Sequence, residues 1–274
     1  MHLRTLSAVA ATLAMITGTA SAQSRSIEHV TGDVYRFQDE THFSMFTVTE
    51  DGVVVVDPIN SNAVGWLQRN LKDITEQKVT HLIYSHSHAD HASGGIYYRA
   101  GTVIAHDNAP KAIDGVKPTI RFSDAMTLSV GKKTFELTFL GIGHGNDTIA
   151  VVVRPENVAF IVDVASPKRL PFRDFPLSDI DGRIAQIEKL RSLDFEIFAP
   201  GHGLLGVKTD LDDNLAYLTT LRAEVLKGLR AGKSIDELKA SIKMEAYSDW
   251  AGFQSLELNI EGMARYLIEE DKVN

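Results

Sequence analysis

Four side chains that can bind a metal ion occur within six consecutive residues, in the segment His86–His91. In an extended chain, residues i and i+2 lie on the same face, so His86 and His88 can reach one ion together. Asp90 and His91 begin the next turn and point elsewhere, where they can serve a second ion nearby. A His-rich surface turn is the alternative, but unpaired imidazoles are costly inside a protein and unusual in a solvated turn. The segment therefore indicates a metal site.

Three further residues of the same kind stand at loop positions. His144 is flanked by glycines, which allow a close approach of the backbone, and His202 lies in a Pro-Gly-His-Gly segment. Asp163 follows an apolar run, a position where a buried carboxylate needs a partner. The chain contains no cysteine, which excludes disulfides, thiolate metal sites and cysteine nucleophiles. Any metal must therefore be held by histidine and carboxylate side chains.

The elements that would position these residues alternate between strands and helices. The pattern predicts strands at Val34–Phe37, Phe43–Val48, Val53–Asp57, Val79–Tyr84, Thr102–Ala105, Met126–Val130, Thr134–Leu140, Thr148–Val153, Val158–Val162 and Glu196–Ala199. It predicts helices at Asn62–Ile74 and Ile180–Leu193, and a helical tail from Leu211 with a capping box at Ser234–Glu237. We therefore expect one layered α/β domain over residues 23–274, in which C-terminal helices occupy about 207–274.

The composition is that of a folded enzyme-sized domain. The chain has 274 residues, 44% of them hydrophobic, which is long enough to bury a sizeable core. Its formal net charge is −8, and no run of Lys and Arg is longer than two residues, so a nucleic-acid partner is not expected. A small-molecule substrate remains the expected partner.

The first 22 residues have the pattern of a signal peptide. Arg4 is their one charged residue, an apolar run extends from Leu6 to Ile16, and Ala20–Ala22 is a small-x-small cleavage site. A membrane anchor is the alternative, but the apolar run falls short of the roughly 20 residues that a span needs. We expect cleavage after Ala22 and no stable membrane span afterwards. The mature protein would be secreted or, in a bacterium, periplasmic.

The sequence resembles the metallo-β-lactamase fold superfamily. The resemblance rests on H-x-H-x-D-H at His86–His91, the Gly-flanked His144, the Asp163 that follows an apolar strand, and the late Gly-His at His202. It spans about residues 34–205 and implies a four-layer αβ/βα sandwich with a metal site along one edge of its two sheets. Within the resemblance, Asp57 would support the ligand loops from behind.

The resemblance implies a ligand set for two metal ions. The first ion would be held by His86, His88 and His144, the second by Asp90, His91 and His202, and Asp163 would bridge them. Five imidazoles and two carboxylates suit zinc, although iron or manganese fits the same set. Two ions about 3.5–4 Å apart can share a water and lower its pKa toward about 7. The nucleophile would then be a metal-bound hydroxide, with no side-chain nucleophile required.

The expected activity is hydrolysis of an ester, thioester, lactone or amide. The bridging Asp163 places the chain near the glyoxalase-II-like and quinoprotein-relay branches, although no basic C-terminal pocket for a glutathione thioester is visible. One alternative is a zinc β-lactamase, which export would suit; however, a thiolate-using lactamase has its cysteine where this chain has Asp163. A second alternative is a periplasmic metal-binding protein without catalysis. Iron-dependent redox chemistry is a further possibility within the superfamily.

Three residues outside the ligand set are candidate substrate contacts. His42 would lie in the hairpin that family members often place over the metals. Phe172 and Phe175 lie in the one Pro-rich stretch, Pro167–Pro176, which we expect to be a loop beside the site.

Overall fold

Two β-sheets form the centre of the computed structural model, which describes residues 24–273. The first sheet has seven strands in chain order: β1 (Arg25–Thr31), β2 (Val34–Asp39), β3 (His42–Thr49), β4 (Gly52–Val56), β5 (Val79–Ile83), β6 (Thr102–His106) and β7 (Ile120–Phe122). β1 to β4 pair antiparallel, and β4 to β7 pair parallel. The parallel half brings the carboxyl ends of β4, β5 and β6 to one edge.

The second sheet has six strands: β8 (Ala125–Val130), β9 (Lys133–Phe139), β10 (Ile149–Arg154), β11 (Val158–Ile161), β12 (Ile197–Pro200) and β13 (Gly206–Val207). Their spatial order is β13-β12-β11-β10-β9-β8, and all neighbours pair antiparallel except β11 and β12. The parallel pair β11 and β12 therefore ends at a common edge, as β4 and β5 do in the first sheet.

The central strands β10 and β11 are apolar at every position except the terminal Arg154 because both of their faces are covered. Successive side chains of a strand point to opposite faces. Val151 and Phe160 therefore pack between the two sheets, whereas Val152 and Ile161, on the same two strands, pack under the helices. This explains why β10 and β11 have continuous apolar runs rather than alternating patterns.

Helices cover the outer face of each sheet. They are α1 (Ser61–Asn70), α2 (Ala89–Ala92), α3 (Ile180–Ser192), α4 (Asp210–Arg230), α5 (Ile235–Ser241) and α6 (Leu256–Glu269). α1 packs on the first sheet, and α3, α4 and α6 pack on the second. The layers are therefore helix, sheet, sheet and helix, which is the αβ/βα sandwich expected from the sequence.

The loops at one edge of the sandwich carry the candidate ligands. His86–His91 follows β5, Asp163 follows β11 and His202 follows β12, while His144 lies between β9 and β10. The predicted signal peptide, residues 1–22, lies outside the described residues. Among residues 24–273, no helix combines the length and the apolar character needed to cross a bilayer.

Candidate metal centre

Eight ligand-type side chains meet at this edge in two adjoining groups. In each group the potential ligand atoms lie within 4.8 Å of one another. The first group contains His86, His88, His144 and Asp163, and the second contains His42, Asp90, His91 and His202. All seven ligands expected from the sequence are brought together, and His42 joins them.

Asp163 lies between the two groups and turns one carboxylate oxygen toward each. Its Oδ2 is 3.5 Å from Nε2 of His86 and 3.4 Å from Nε2 of His144. Its Oδ1 is 3.1 Å from Nε2 of His202 and 3.5 Å from Nε2 of His91. A carboxylate placed in this way can bind one ion through each oxygen.

The main chain at Asp163 is bent sharply so that the side chain reaches this place. Asp163 has φ +63°, a conformation that L residues seldom adopt and that is found preferentially at functional sites. The buried Arg183 of α3 holds the bend, because its guanidinium donates to the main-chain carbonyl oxygens of Asp163 and Val164. The strain is therefore balanced by hydrogen bonds from a neighbouring helix.

Hydrogen bonds at Nδ1 turn two of the imidazoles toward the centre. Nδ1 of His202 lies 2.7 Å from the main-chain oxygen of Thr41, an acceptor only, so Nδ1 donates the proton. Nδ1 of His86 lies 2.9 Å from Oγ of Ser85. In both rings Nε2 is left facing Asp163, the orientation that a metal ligand requires.

The loop that carries His144 packs tightly against α3. A Cβ atom on Gly143 would lie 2.5 Å from Oε1 of Gln186, and one on Gly182 would lie 2.3 Å from the main-chain oxygen of Ile142. Oε1 of Gln186 accepts a hydrogen bond of 2.8 Å from the main-chain N–H of His144. The glycines are needed here for close approach, which fixes the position of His144.

Asp57 supports the histidine segment from below. Its carboxylate is fully buried and accepts hydrogen bonds from the main-chain N–H of Ser85 at 2.7 Å and from the Ser85 hydroxyl at 2.6 Å. Its Oδ2 lies 3.9 Å from Nδ1 of His91. Burial raises the pKa of Asp57 above its ordinary value. The structure thus places Asp57 behind the ligands, where the resemblance expects it.

The donor atoms of the two groups fit a pair of divalent cations. Nε2 of His86 is buried and has no hydrogen-bond partner among the described residues. Nε2 of His91 lies 3.1 Å from Nε2 of His202, and Nδ1 of His88 lies 3.0 Å from Nε2 of His144. Two imidazole nitrogens at this distance need either a shared proton or a cation between them. A metal ion satisfies all of these lone pairs at once.

The electrostatics of the centre favour the metal-binding protonation state at some of these side chains and oppose it at others. Burial opposes ionisation of Asp163, yet the surrounding imidazoles hold its pKa well below the usual range. Burial lowers the pKa of His144 to about 4 and also lowers that of His88. At His86 and His202 the neighbouring Asp163 outweighs burial and raises the pKa. Protons therefore compete with a metal more strongly at His86 and His202 than at His88 and His144.

Comparisons with known proteins agree with this arrangement. A family model described as "Metallo-beta-lactamase superfamily" matches residues 39–111, which include the histidine segment. The type 2 metallo-β-lactamase of Elizabethkingia meningoseptica is 28% identical over 126 residues, 39% of this chain and 46% of the lactamase. The structure of a metallo-β-lactamase from Pontibacter korlensis superposes with a TM-score of 0.62 at 19% identity, covering 72% of this chain and 99% of that one. The chain thus matches the metallo-β-lactamase superfamily over residues 39–111 and has the fold of a known metallo-β-lactamase.

A longer match within the superfamily is to a protein of different activity. The alpha subunit of 2,4-dinitroanisole O-demethylase from Nocardioides sp. (strain JS1661) is 26% identical over 237 residues, 82% of this chain and 71% of that subunit. The match to the lactamase above spans about half of its length. The chain is thus similar to enzymes that differ in their activities.

A cavity of about 670 Å³ opens beside both groups of ligands. His42, His88, Asp90, His144, Asp163 and His202 line its floor, and Leu170, Pro171, Phe172, Pro176 and Leu177 form an apolar wall. Arg169 also lines it, and Leu170 is joined to Ala251 by a main-chain hydrogen bond of 2.9 Å. Substrate would enter the centre through this cavity.

The two phenylalanines expected to contact substrate have different positions. Phe172 is 66% exposed and lines the cavity. Phe175 is 4% exposed and belongs to the core under the second sheet, so it does not line the cavity. The loop turns back at Phe175, where φ is +57°, and buries the ring. The expectation for Phe175 is corrected to a packing role.

Three supporting residues were not foreseen from the sequence: Ser85, Arg183 and Gln186. Ser85 directly precedes the histidine segment, so its place in the sequence could have indicated that it supports the metal-binding side chains. Arg183 and Gln186 lie one turn apart on α3 and are both buried, although their residue types favour the surface. Only the fold reveals that this face of α3 meets the ligand loops.

Proposed function

We propose that the chain is an exported, two-metal hydrolase that cleaves an ester, thioester, lactone or amide. The observation that carries the proposal is Asp163, whose two carboxylate oxygens face different groups of histidines. We assign His86, His88 and His144 to the first ion, Asp90, His91 and His202 to the second, and Asp163 to both. A pair of divalent ions supplies a nucleophile from water at neutral pH and polarises a carbonyl oxygen.

The protein's own contribution is to hold imidazoles and carboxylates in fixed places. Ser85 and Thr41 fix Nδ1 of His86 and of His202. Arg183 fixes the main chain of Asp163. These contacts act through the proposed ligands rather than on substrate, and they come from the loop after β5, the turn between β2 and β3, and α3. The centre is therefore assembled only when the two sheets are packed together.

Zinc is the ion that we propose for both positions. The donors are imidazole nitrogens and carboxylate oxygens, with no sulfur available in the chain's metal-binding groups. Zinc accepts this mixture readily, and iron and manganese accept it too. Metal analysis of protein purified without added metal, followed by reconstitution with each ion, distinguishes the three.

The cavity favours a substrate with an apolar body and a negative charge. Its wall is apolar from Leu170 to Phe172, and Arg169 is half-buried beside it. The guanidinium of Arg169 has no carboxylate partner among the described residues. A half-buried cation without a partner is a natural contact for a ligand anion. An ester or amide of a hydrophobic acid that carries a second carboxylate would satisfy both features.

Export of the protein is part of the proposal and has its own test. Residues 1–22 have a signal-peptide pattern, and the protein would act in the periplasm or outside the cell. The intact mass of protein recovered from a periplasmic extract should correspond to a chain beginning at residue 23. A full-length mass in the cytoplasmic fraction would contradict export.

The second candidate function is β-lactam hydrolysis, which the 28% identity to the Elizabethkingia enzyme favours. These activities can be ranked by assaying the zinc-loaded protein with nitrocefin and with a panel of esters, lactones, thioesters and 2,4-dinitroanisole. We expect turnover of carbonyl esters to exceed that of nitrocefin. Nitrocefin turnover equal to the best ester would reverse the order, and two bound ions with no turnover in the panel would favour a metal-binding role.

A further inference from the structure

A fourth side chain faces the second ion position in addition to Asp90, His91 and His202. Nε2 of His42 lies 3.6 Å from Oδ2 of Asp90. Its ring centroid lies 4.6 Å from that of His202 and 5.2 Å from that of His91. We propose that His42 is a protein ligand of the second ion, an inference that rests on the two-metal centre proposed above.

The distances around His42 are those of atoms that share an ion. Zinc binds nitrogen and oxygen at about 2.0–2.2 Å, so two neighbouring ligand atoms at an angle of about 90–120° lie about 2.9–3.7 Å apart. The His42–Asp90 pair is separated by 3.6 Å, the His91–His202 pair by 3.1 Å, and Nε2 of His91 from Oδ2 of Asp90 by 4.0 Å. The first two separations fall in this range, and the third is slightly longer. His42 is therefore at ligand distance from Asp90, and the potential ligand atoms of its group lie within 4.8 Å of one another.

The hairpin that carries His42 is fastened to the loop that carries His202. Phe43 donates from its main-chain N–H to the carbonyl oxygen of Gly201 at 2.8 Å, and His202 donates from Nδ1 to Thr41 at 2.7 Å. These bonds flank His42 on both sides in the chain. The two histidines are thus held in a fixed relation rather than on independent loops.

The ring of His42 is also oriented toward the centre. Its Nδ1 lies 3.4 Å from Oγ1 of the adjacent Thr41, which leaves Nε2 directed at Asp90. The side chain is 27% exposed, so it lies at the border between the ion position and the cavity. With His42, the second position has five protein donors when Oδ1 of Asp163 is included, and the first position has four.

The alternative role for His42 is a hydrogen bond to Asp90 without metal contact. An asparagine can keep such a hydrogen bond through its amide N–H but is a poor zinc ligand. His42→Asn therefore separates the two roles. His29→Asn is the matched control, because His29 is exposed on β1 and lies outside both groups.

The first test measures metal binding without turnover. Each protein is loaded with zinc, dialysed, and titrated with a chromophoric chelator to obtain the stoichiometry and the two dissociation constants. We expect the wild type and His29→Asn to hold two ions, and His42→Asn to bind one of them at least about 10-fold more weakly, as expected for loss of a ligand contact. Two ions held by His42→Asn with wild-type affinity would overturn the inference.

The second test places a spectroscopic ligand at the same position. The chain has no cysteine, so a thiolate-to-cobalt charge-transfer band in His42→Cys can come only from residue 42. We expect this band after two equivalents of Co²⁺, and its absence with both ions bound would overturn the inference. A wild type that never takes up two ions would overturn the proposed two-metal function instead, so the two failures are distinguishable.

Discussion

Arg183 binds Asp163 through the main chain and leaves the carboxylate to the histidines. The guanidinium Nη2 donates to the carbonyl oxygen of Asp163, and Nε donates to that of Val164 at 2.9 Å. Burial lowers the pKa of Arg183 to about 10, so it remains charged at neutral pH. A buried cation on a helix thus fixes the direction of the residue that connects the two groups of ligands.

Replacing Arg183 should therefore loosen both the fold and the centre. Arg183→Leu leaves two buried carbonyl oxygens without donors, at a cost of about 1–3 kcal/mol each. We expect a loss of about 2–6 kcal/mol in the free energy of unfolding and weaker binding of at least one ion. Urea unfolding and metal analysis measure the two effects. Arg191→Leu is the control on the same helix, since its ion pair with Asp212 is exposed and contributes under about 1 kcal/mol.

The charge of Arg169 should select between substrates. We expect Arg169→Gln to raise KM about 10-fold for a 4-nitrophenyl ester that carries a second carboxylate, because a charged hydrogen bond contributes about 1.5–3 kcal/mol. KM for the neutral ester of equal length should change little. Lys168→Gln is the control, because Lys168 is exposed and does not line the cavity. Equal effects of Arg169→Gln on both esters would refute the assignment.

Asn259 of α6 should control the shape of the apolar wall. Its side-chain amide donates to the carbonyl oxygens of Pro171 and Arg173 and accepts from the hydroxyl of Tyr217 at 2.7 Å. Asn259→Ala frees the wall from the helix, so we expect KM to rise several-fold while the metal content stays at the wild-type value.

Steady-state kinetics and metal analysis of the same preparation test this prediction. The control is Arg265→Met, which removes a partly exposed ion pair to Asp174 in the same loop and should change KM little. An unchanged KM in folded Asn259→Ala would show that the wall does not depend on α6.

Metal affinity should fall as the pH is lowered. In the metal-free protein Asp163 raises the pKa of His86 and of His202, so these rings bind protons at a pH above the ordinary histidine value of about 6.5. The metal-bound state holds fewer protons, so affinity rises with pH, by up to about two decades per pH unit for two protons. Zinc dissociation constants between pH 8 and pH 5.5 check the sign, and a constant affinity across that range would contradict it.

Much of the fold could be predicted from the sequence. The ten strands expected from apolar runs correspond to β2–β6 and β8–β12, and the capping box at Ser234–Glu237 opens α5 as expected. The strands that the sequence did not reveal are β1, β7 and β13, which lie at sheet edges. β1 alternates exposed and half-buried residues, so its burial signal is weak. Whether an edge strand forms depends on pairing with its neighbouring strand more than on its own apolar pattern.

The site was predictable in its ligand types and less so in its geometry. The residue types and spacing of His86–His91 predict a metal site, and the two-ion ligand set was implied by the resemblance. That Asp163 turns one oxygen to each group depends on its positive φ and on Arg183, neither of which a sequence displays. The directions of the His42 and Phe175 rings could not be predicted from the sequence either. The register of a hairpin decides the first, and the turn of a loop decides the second.

The most direct test of the two-metal hydrolase is to titrate metal-free protein with zinc while measuring hydrolysis of the best ester in the panel. We expect no hydrolysis without metal, full activity only as the second equivalent is bound, and no recovery in His86→Ala at the same zinc concentration. Undiminished hydrolysis by the metal-free protein, or none with two ions bound, would contradict it.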